Sequence, residues 1–218
     1  MLPHDAVPID RRSFIRLLAA NSAFLAAVKA SSNPPYYVGV GYSSDPYTAA
    51  STALSACGQF PNNLTGQTVV IKPNLLAPKP ATSGATTDPR VVQAIVDLCL
   101  AAGATQILIV EAAPLGQPSN FGPCGYTTVF QSYPQVQLVD LRTGTYALSP
   151  VPGGGYAYQS MWVPSLVLEP DTFFISAAKL KTHVSAVASL SMKNLVGLAS
   201  ETAYAQPVAT GYPRHDPA

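Results

Sequence analysis

The sequence predicts an α/β protein with three layers and a mostly parallel sheet. Short apolar runs rich in β-branched residues alternate along the chain with segments of helical periodicity. Each predicted strand is apolar throughout, as expected of a strand that is covered on both faces. Only 11% of the 218 residues are charged and 48% are hydrophobic, whereas roughly 25% of an ordinary soluble domain is charged. A chain of this length and composition has enough apolar material for a large core.

The first elements are predicted from apolar runs and their bounding residues. Pro34–Tyr42 is predicted to be a first strand, and Pro46–Gly58 a helix closed by its final glycine. Gln67–Asn74 is a β-branched run between turn-forming residues, which predicts a buried strand. A loop of small residues follows from Leu75 to Thr87.

A second helix has well-marked ends. Asp88 is a natural N-cap, and Pro89 suits the first helical position. Gly103 supplies a left-handed stop. Apolar residues recur between these ends at helical spacing, at Val92, Ile95, Val96 and Cys99. Cys99 is therefore predicted to be a core residue.

The remaining elements are predicted from shorter patterns. Apolar runs predict strands at Gln106–Ala112, Val136–Leu141 and Asp171–Ala178. Tyr126–Tyr133 favours a short helix, and Gly144–Pro164 is irregular or a β-hairpin. The segment Val184–Gly197 is predicted to be a helix with Val187, Leu190 and Asn194 on one face.

Residues 1–30 resemble a twin-arginine export leader. The pair Arg11 and Arg12 precedes an apolar run from Leu17 to Val28, which is shorter than the roughly 17–25 residues that span a bilayer. The alternative is an ordinary amphipathic N-terminal helix. We expect a leader at 1–30 and an α/β domain at 31–218. We also expect the twin-arginine export machinery as a partner, a periplasmic or extracellular location, and no stable membrane span.

The predicted domain beyond Ala30 is close to neutral. It contains eight basic and nine acidic residues, a net charge of −1. Such a domain has no long-range field for nucleic acid or anionic lipid, so neither is an expected partner. Three of its eight basic residues, Lys179, Lys181 and Lys193, nevertheless lie within the single segment Ile175–Leu198.

The three cysteines are Cys57, Cys99 and Cys124, and they include no C-x-x-C pair. Neither a zinc ribbon nor a ferredoxin-type iron–sulfur cluster is therefore encoded. In an exported protein one pair is able to form a disulfide, and the spacing does not say which pair. The identity of any metal or cofactor stays open.

Polar residues stand at the predicted carboxyl ends of three strands, where open parallel sheets bind ligands. Lys72 and Asn74 end the first of these strands, Glu111 ends the second, and Lys179 follows the third. If the strands are neighbours, these side chains converge on one cleft. Each has a plainer alternative: an edge lysine that reaches solvent for Lys72, a turn residue for Asn74, and a salt-bridge partner of Lys72 or Lys179 for Glu111.

The segment Lys179–His183 carries a sharper signal. Alternation places Lys179, Lys181 and His183 on one side of an extended backbone. Two ammonium groups this close repel each other unless an anion lies between them. Lys193 and Asn194 are expected to return on the following helix. The pattern predicts a phosphate or carboxylate site, and its alternative is a solvated edge.

Three blocks in this order resemble the bacterial and archaeal family catalogued as domain of unknown function 362. They are VVIKPNLL, TTDPRVVQAIVDLCLAAGATQILIVEAA and AAKLKTHVSAVASLSMKNLVGL, and together they span Val69–Leu198. No general activity is established for the family. The resemblance implies a site built from Lys72, Asn74, Asp88, Glu111, Lys179, Lys181, His183, Lys193 and Asn194.

Two further features of that family bear on this chain. Some members carry ferredoxin-like four-iron, four-sulfur modules, whose cysteines are missing here. Members also continue past the K-N-x-x-G block to a basic residue with a histidine, which Arg214 and His215 resemble. We therefore expect Arg214 and His215 to bind the ligand, and the rest of the family's C-terminal part to be absent.

We expect an exported enzyme that acts on a small anionic substrate. Lysines would hold the anion, and His183 or Glu111 would move a proton, with Lys179 beside them. A metal or redox cofactor fits the twin-arginine route, which carries folded proteins. The alternatives are a non-catalytic binding protein for an anion, metal or cofactor of the cell envelope, and an inactive fragment.

Overall fold

The computed structural model of the chain describes residues 37–113, 117–151, 159–183 and 187–199. The chain divides into two units, Met1–Val38 and Gly39–Ala218, and every element below belongs to the second unit. The leader predicted at residues 1–30 lies outside the described residues, as do Arg214 and His215. Among the described residues, no helix has the length and apolar character needed to cross a membrane.

The described part of the chain contains eight strands. They are β1 (Thr68–Pro73), β2 (Gln106–Glu111), β3 (Val136–Asp140), β4 (Tyr146–Pro150), β5 (Ser160–Pro164), β6 (Thr172–Ala177), β7 (Lys181–His183) and β8 (Val187–Ser189). The central sheet has the order β3-β2-β1-β6, and all of its pairings are parallel. Two antiparallel pairs, β4 with β5 and β7 with β8, lie apart from it. The predicted α/β class with a mostly parallel sheet is confirmed, and β1, which carries Lys72, lies directly between β2 with Glu111 and β6 with Ser176.

Within the described ranges four α-helices accompany the strands: α1 (Pro46–Cys57), α2 (Pro89–Ala101), α3 (Tyr126–Phe130) and α4 (Ser191–Asn194). The predicted ends of α2 are confirmed. The Asp88 carboxylate accepts a hydrogen bond from the Arg90 backbone N–H at 2.9 Å, and Gly103 has a φ of 90°, which favours glycine. Gly58 ends α1 in the same left-handed region, with a φ of 64°.

Apolar side chains cover both faces of the sheet, because alternate residues of each strand point to opposite sides. On one face, Val69, Ile71 and Ile109 pack into the larger core with α2 residues that include Val96 and Cys99. On the other face, Val70, Val110, Leu141 and Leu198 form a smaller core. Among the described residues this second face is covered by short 3₁₀ turns at Leu141–Thr143, Ser165–Val167 and Leu195–Leu198. Burial on both faces explains why the strands are apolar throughout.

The predicted first strand at Pro34–Tyr42 is wrong over its described part, since residues 37–42 are not in a strand. The glycines of this segment lie against α1. A Cβ atom on Gly39 would stand 1.8 Å from the Ala53 carbonyl oxygen, and one on Gly41 would stand 2.0 Å from that of Ala49. The backbone at Gly39 and Gly41 therefore packs on a helix, and the alternating Val40 and Tyr42 side chains are not buried in a sheet.

Within its described part, the predicted helix at Val184–Gly197 forms only over Ser191–Asn194, and the prediction is wrong for Val187–Ser189. The chain forms β8, then the single turn of α4, and then the 3₁₀ turn Leu195–Leu198. Val187 has a φ of 63°, which no right-handed helix contains. Of the three residues expected on one helix face, Asn194 is buried, whereas Val187 and Leu190 are exposed, so their apolar side chains have no core that would stabilise such a face.

The three cysteines are free thiols. Cys99 is completely buried in the larger core, as predicted, and this burial raises the pKa of its thiol to about 12.

Candidate functional site

A small cleft lies past the carboxyl ends of the central strands. The strand order reverses here, since β2 and β3 lie on one side of β1 and β6 lies on the other. Ligands of open α/β sheets bind at such a switch point. Seven sequence-predicted residues line the cleft: Lys72, Asn74, Glu111, Lys181, His183, Lys193 and Asn194. Its volume is about 80 Å³. A cavity of roughly 10–15 Å³ holds one water, so the cleft has room for several waters or one small anion.

The floor of the cleft is a buried salt bridge between neighbouring strands. The Lys72 Nζ atom lies 2.8 Å from Glu111 Oε1, and the two residues are only 1% and 7% exposed. Glu111 also accepts hydrogen bonds from the backbone N–H groups of Leu75 at 2.9 Å and Ala112 at 3.0 Å. Lys72 donates a further hydrogen bond to the Pro73 carbonyl oxygen. Glu111 thus has the partner that the plainer alternative assigned to it, and Lys72 does not reach solvent.

Asn194 fastens the K-N-x-x-G segment, residues 193–197, to the sheet. Its Nδ2 atom donates to the Lys72 carbonyl oxygen at 2.8 Å and to Ser176 Oγ at 3.2 Å. Its Oδ1 atom accepts from Asn74 Nδ2 at 3.4 Å. The residue is buried, and its side chain connects the ends of β1 and β6. Asn194 therefore positions this segment over the salt bridge.

Lys181 enters the cleft from β7. Its Nζ atom donates to Asn74 Oδ1 at 2.7 Å and to the Ala85 carbonyl oxygen. Burial lowers the pKa of Lys181, and the positive charges of Lys193 and Lys179 lower it further, while Glu111 acts in the opposite direction. Both hydrogen-bond acceptors are neutral, so neither compensates the charge of this ammonium group.

Lys193, His183 and Ser189 complete the polar wall. Lys181 and His183 lie on one face of the β7–β8 pair, because they are two residues apart along β7. Ser189 lies opposite Lys181 in the register, and Val187 lies opposite His183. Among the described residues, no carboxylate lies within 4.0 Å of the ammonium group of Lys181 or of Lys193.

Lys179 lies outside the lining of the cleft. Its charge acts on Asp88 and Lys181, so it is a neighbour of the site. Asp88 is the N-cap of α2, in agreement with the plainer interpretation. Burial alone would raise the pKa of Asp88, but hydrogen bonds from Arg90 and the charges of Arg90 and Lys179 hold it below its ordinary value.

Two residues of the site were not singled out from the sequence. Gly197 covers the salt bridge so closely that a Cβ atom on it would lie 2.7 Å from both Lys72 Cε and Lys72 Nζ. Its place in the K-N-x-x-G block was the available signal. Ser189 is a buried residue that lines the cleft, and a serine in an apolar run carried no signal of its own.

The part of the chain that the structure describes contains no preformed group of metal-ligating side chains, because no three His, Cys, Asp or Glu residues lie together there. The donors that the cleft presents are instead ammonium, imidazole and hydroxyl groups.

These features define an α/β protein with a basic cleft at the carboxyl edge of a parallel sheet, above a buried lysine–glutamate pair. The chain belongs to the family described as domain of unknown function DUF362, whose sequence profile matches residues 69–211. This match covers β1 from Val69 onward, all of β2 and β6, and every residue of the cleft. No curated protein and no solved structure matches the chain.

Proposed function

We propose that the cleft binds a small anion, a phosphate or a carboxylate, and that the protein is an enzyme that acts on it. One observation carries the proposal: Lys181 and Lys193 line the same cleft, and no described carboxylate pairs with either. Two ammonium groups in a partly desolvated space repel each other. A bound anion would offset this repulsion and add charge-assisted hydrogen bonds.

The proposed roles follow from the contacts of each side chain. Lys181 and Lys193 hold the anion, and Lys179 adds positive charge from outside the cleft. His183 moves the proton, because imidazole is the side chain suited to proton transfer near neutral pH. Glu111 is less suited to that step, since its two oxygens already accept three hydrogen bonds. It supports the site by holding Lys72 and the Leu75 backbone.

Lys193→Gln tests the binding role, because Lys193 has no hydrogen-bond partner among the described side chains and its replacement leaves the sheet intact. A charge-assisted hydrogen bond contributes about 1.5–3 kcal/mol. We therefore expect affinity for phosphate or acetate, measured by calorimetry, to fall about ten- to a hundredfold. Lys79→Gln is the matched control, since Lys79 is exposed and lies outside the cleft. Equal affinities of wild type and Lys193→Gln would refute the role.

His183→Asn tests the catalytic role. We expect this variant to bind anions like the wild type and to lose turnover in a screen of phosphate esters and carboxylate esters. Wild-type binding without turnover of any ester would favour a non-catalytic binding protein.

Anion affinity should also depend on alkaline pH. The pKa of Lys181 lies below its ordinary value of 10.5, so its charge is lost earlier than that of a free lysine as pH rises. We expect phosphate binding to weaken as pH rises through that lowered pKa. A binding curve that is flat up to pH 10.5 would argue against a charged Lys181 in the site.

We also propose that residues 1–30 are a twin-arginine leader and that the protein functions in the periplasm or outside the cell. The support is the order of Arg11 and Arg12, the apolar run and the small residues after it. Replacing both arginines with lysine should retain the protein in the cytoplasm, whereas Arg16→Lys should not. Unchanged export of the double variant, measured by cell fractionation, would refute the proposal that residues 1–30 are a twin-arginine leader.

A further inference from the structure

The charges that line the cleft do not balance. Lys72 and Glu111 neutralise each other at 2.8 Å, and three donors occupy the Glu111 oxygens. This carboxylate is therefore unavailable as a direct partner for other cations. The ammonium groups of Lys181 and Lys193 remain, which leaves two positive charges in a cleft of about 80 Å³.

The two remaining ammonium groups are close enough to affect each other. Lys193 lowers the pKa of Lys181 by more than Glu111 raises it, although burial has the largest effect. A ligand with one negative charge would leave one of these two positive charges uncompensated. A ligand with two negative charges would balance both, and Coulomb attraction in a partly desolvated cleft grows with each charge.

The cleft also presents several hydrogen-bond donors that no described residue uses. Lys181 has committed two of its three N–H groups, to Asn74 and to Ala85. Lys193 has committed none to a described residue. Ser189 is 4% exposed as a residue and lines the cleft. Its hydroxyl makes no hydrogen bond to a described residue, so it is able to donate one to a ligand oxygen.

We propose that the cleft is a site for a dianionic phosphate group, either free phosphate or the head of a phosphate monoester, held between Lys181 and Lys193 with the Ser189 hydroxyl as a third donor. This inference rests on the anion-binding function proposed above and specifies its ligand. A phosphate carries several acceptor oxygens around one atom, so it meets donors that converge from three sides. A monocarboxylate has two oxygens in one plane and one charge.

The test is a set of titrations of the full chain at pH 8 and constant ionic strength with phosphate, sulfate, malonate and acetate. We expect phosphate and sulfate to bind at least ten times more tightly than acetate. Lys193→Gln should reduce this preference to less than threefold. Ser189→Ala should weaken phosphate binding several-fold and acetate binding less. Lys79→Gln is the control and should leave all four affinities unchanged.

The possible failures are distinguishable. If none of the four anions binds to the folded protein, the proposed anion-binding function fails and this inference fails with it. If acetate binds as tightly as phosphate, anion binding stands and the dianion preference is refuted. If malonate binds more tightly than phosphate and sulfate, the site is one for dicarboxylates. If Ser189→Ala leaves phosphate affinity unchanged, the Ser189 hydroxyl is not a third donor to the ligand.

Discussion

Lys72→Met is the sharpest perturbation of this protein, because it removes one half of a buried ion pair and almost no volume. Methionine follows the aliphatic path of the lysine side chain, so it creates little cavity. It leaves the Glu111 carboxylate at 7% exposure without a cation. The perturbation therefore isolates the electrostatic role of the pair from the packing of β1.

The structure sets the expected magnitude. Removing one partner of a buried pair costs about 3–5 kcal/mol. Glu111 would keep hydrogen bonds from the backbone N–H groups of Leu75 and Ala112, which favours the lower end, about 3 kcal/mol. In a chain of this size, a loss of 1 kcal/mol in the free energy of unfolding lowers the midpoint of thermal unfolding, Tm, by roughly 2–4 °C. We expect Tm to fall by about 6–12 °C.

Urea denaturation followed by circular dichroism measures the free energy of unfolding. The double variant Lys72→Met/Glu111→Gln is the matched comparison, because it leaves no uncompensated charge. It should recover at least half of the loss, since the glutamine Oε1 atom is able to accept one of the two backbone hydrogen bonds. A cost below about 1 kcal/mol for Lys72→Met alone would show that the pair is not buried and bonded as described.

Three other perturbations test local features by the same denaturation assay. Gly197→Ala should destabilise by about 1–3 kcal/mol, because the new methyl would lie 2.7 Å from Lys72 Nζ; unchanged stability would mean that the segment moves freely off the pair. Asp88→Ala should cost about 0.5–2 kcal/mol through loss of the N-cap. Because the folded-state pKa of Asp88 is below the ordinary 3.8, its stabilisation is complete above that value and is lost as pH falls through the lowered pKa, so variant and wild type should converge in strong acid. Val187→Gly should be neutral or stabilising by up to about 1.5 kcal/mol, since a φ of 63° costs a non-glycine residue roughly 1–2 kcal/mol and glycine's own entropic cost is about 0.5–1 kcal/mol; a loss of stability above about 1 kcal/mol would contradict the strain.

The elements of the sheet and of α2 were predictable because their signals are local. An apolar β-branched run needs burial on both faces, and Asp88, Pro89 and Gly103 mark helix ends by backbone chemistry that acts within a few residues. The convergence of Lys72 and Glu111 was also predictable, since the carboxyl ends of neighbouring parallel strands share one edge.

Predictions from local patterns failed where regularly spaced apolar residues had no other element of the fold packed over them. Val40 and Tyr42 alternate like a strand, yet Gly39 and Gly41, which alternate with them, pack on α1. Val187 and Leu190 are spaced as on a helix face, but they are exposed beside the cleft. An apolar face with the right periodicity is buried only if another element packs against it. Whether such an element is present depends on the whole fold.

The sequence by itself determined the order of the elements, the edge of the sheet where the polar residues meet, and the scarcity of other charge that makes the lysines stand out. The tertiary structure decided which groups pair. Glu111 bonds to Lys72 across 39 residues, Lys179 lies outside the cleft, and Gly197 closes over the pair. These choices depend on strand register and on distances between segments that are remote in the chain, and short-range sequence patterns carry no information about such distances.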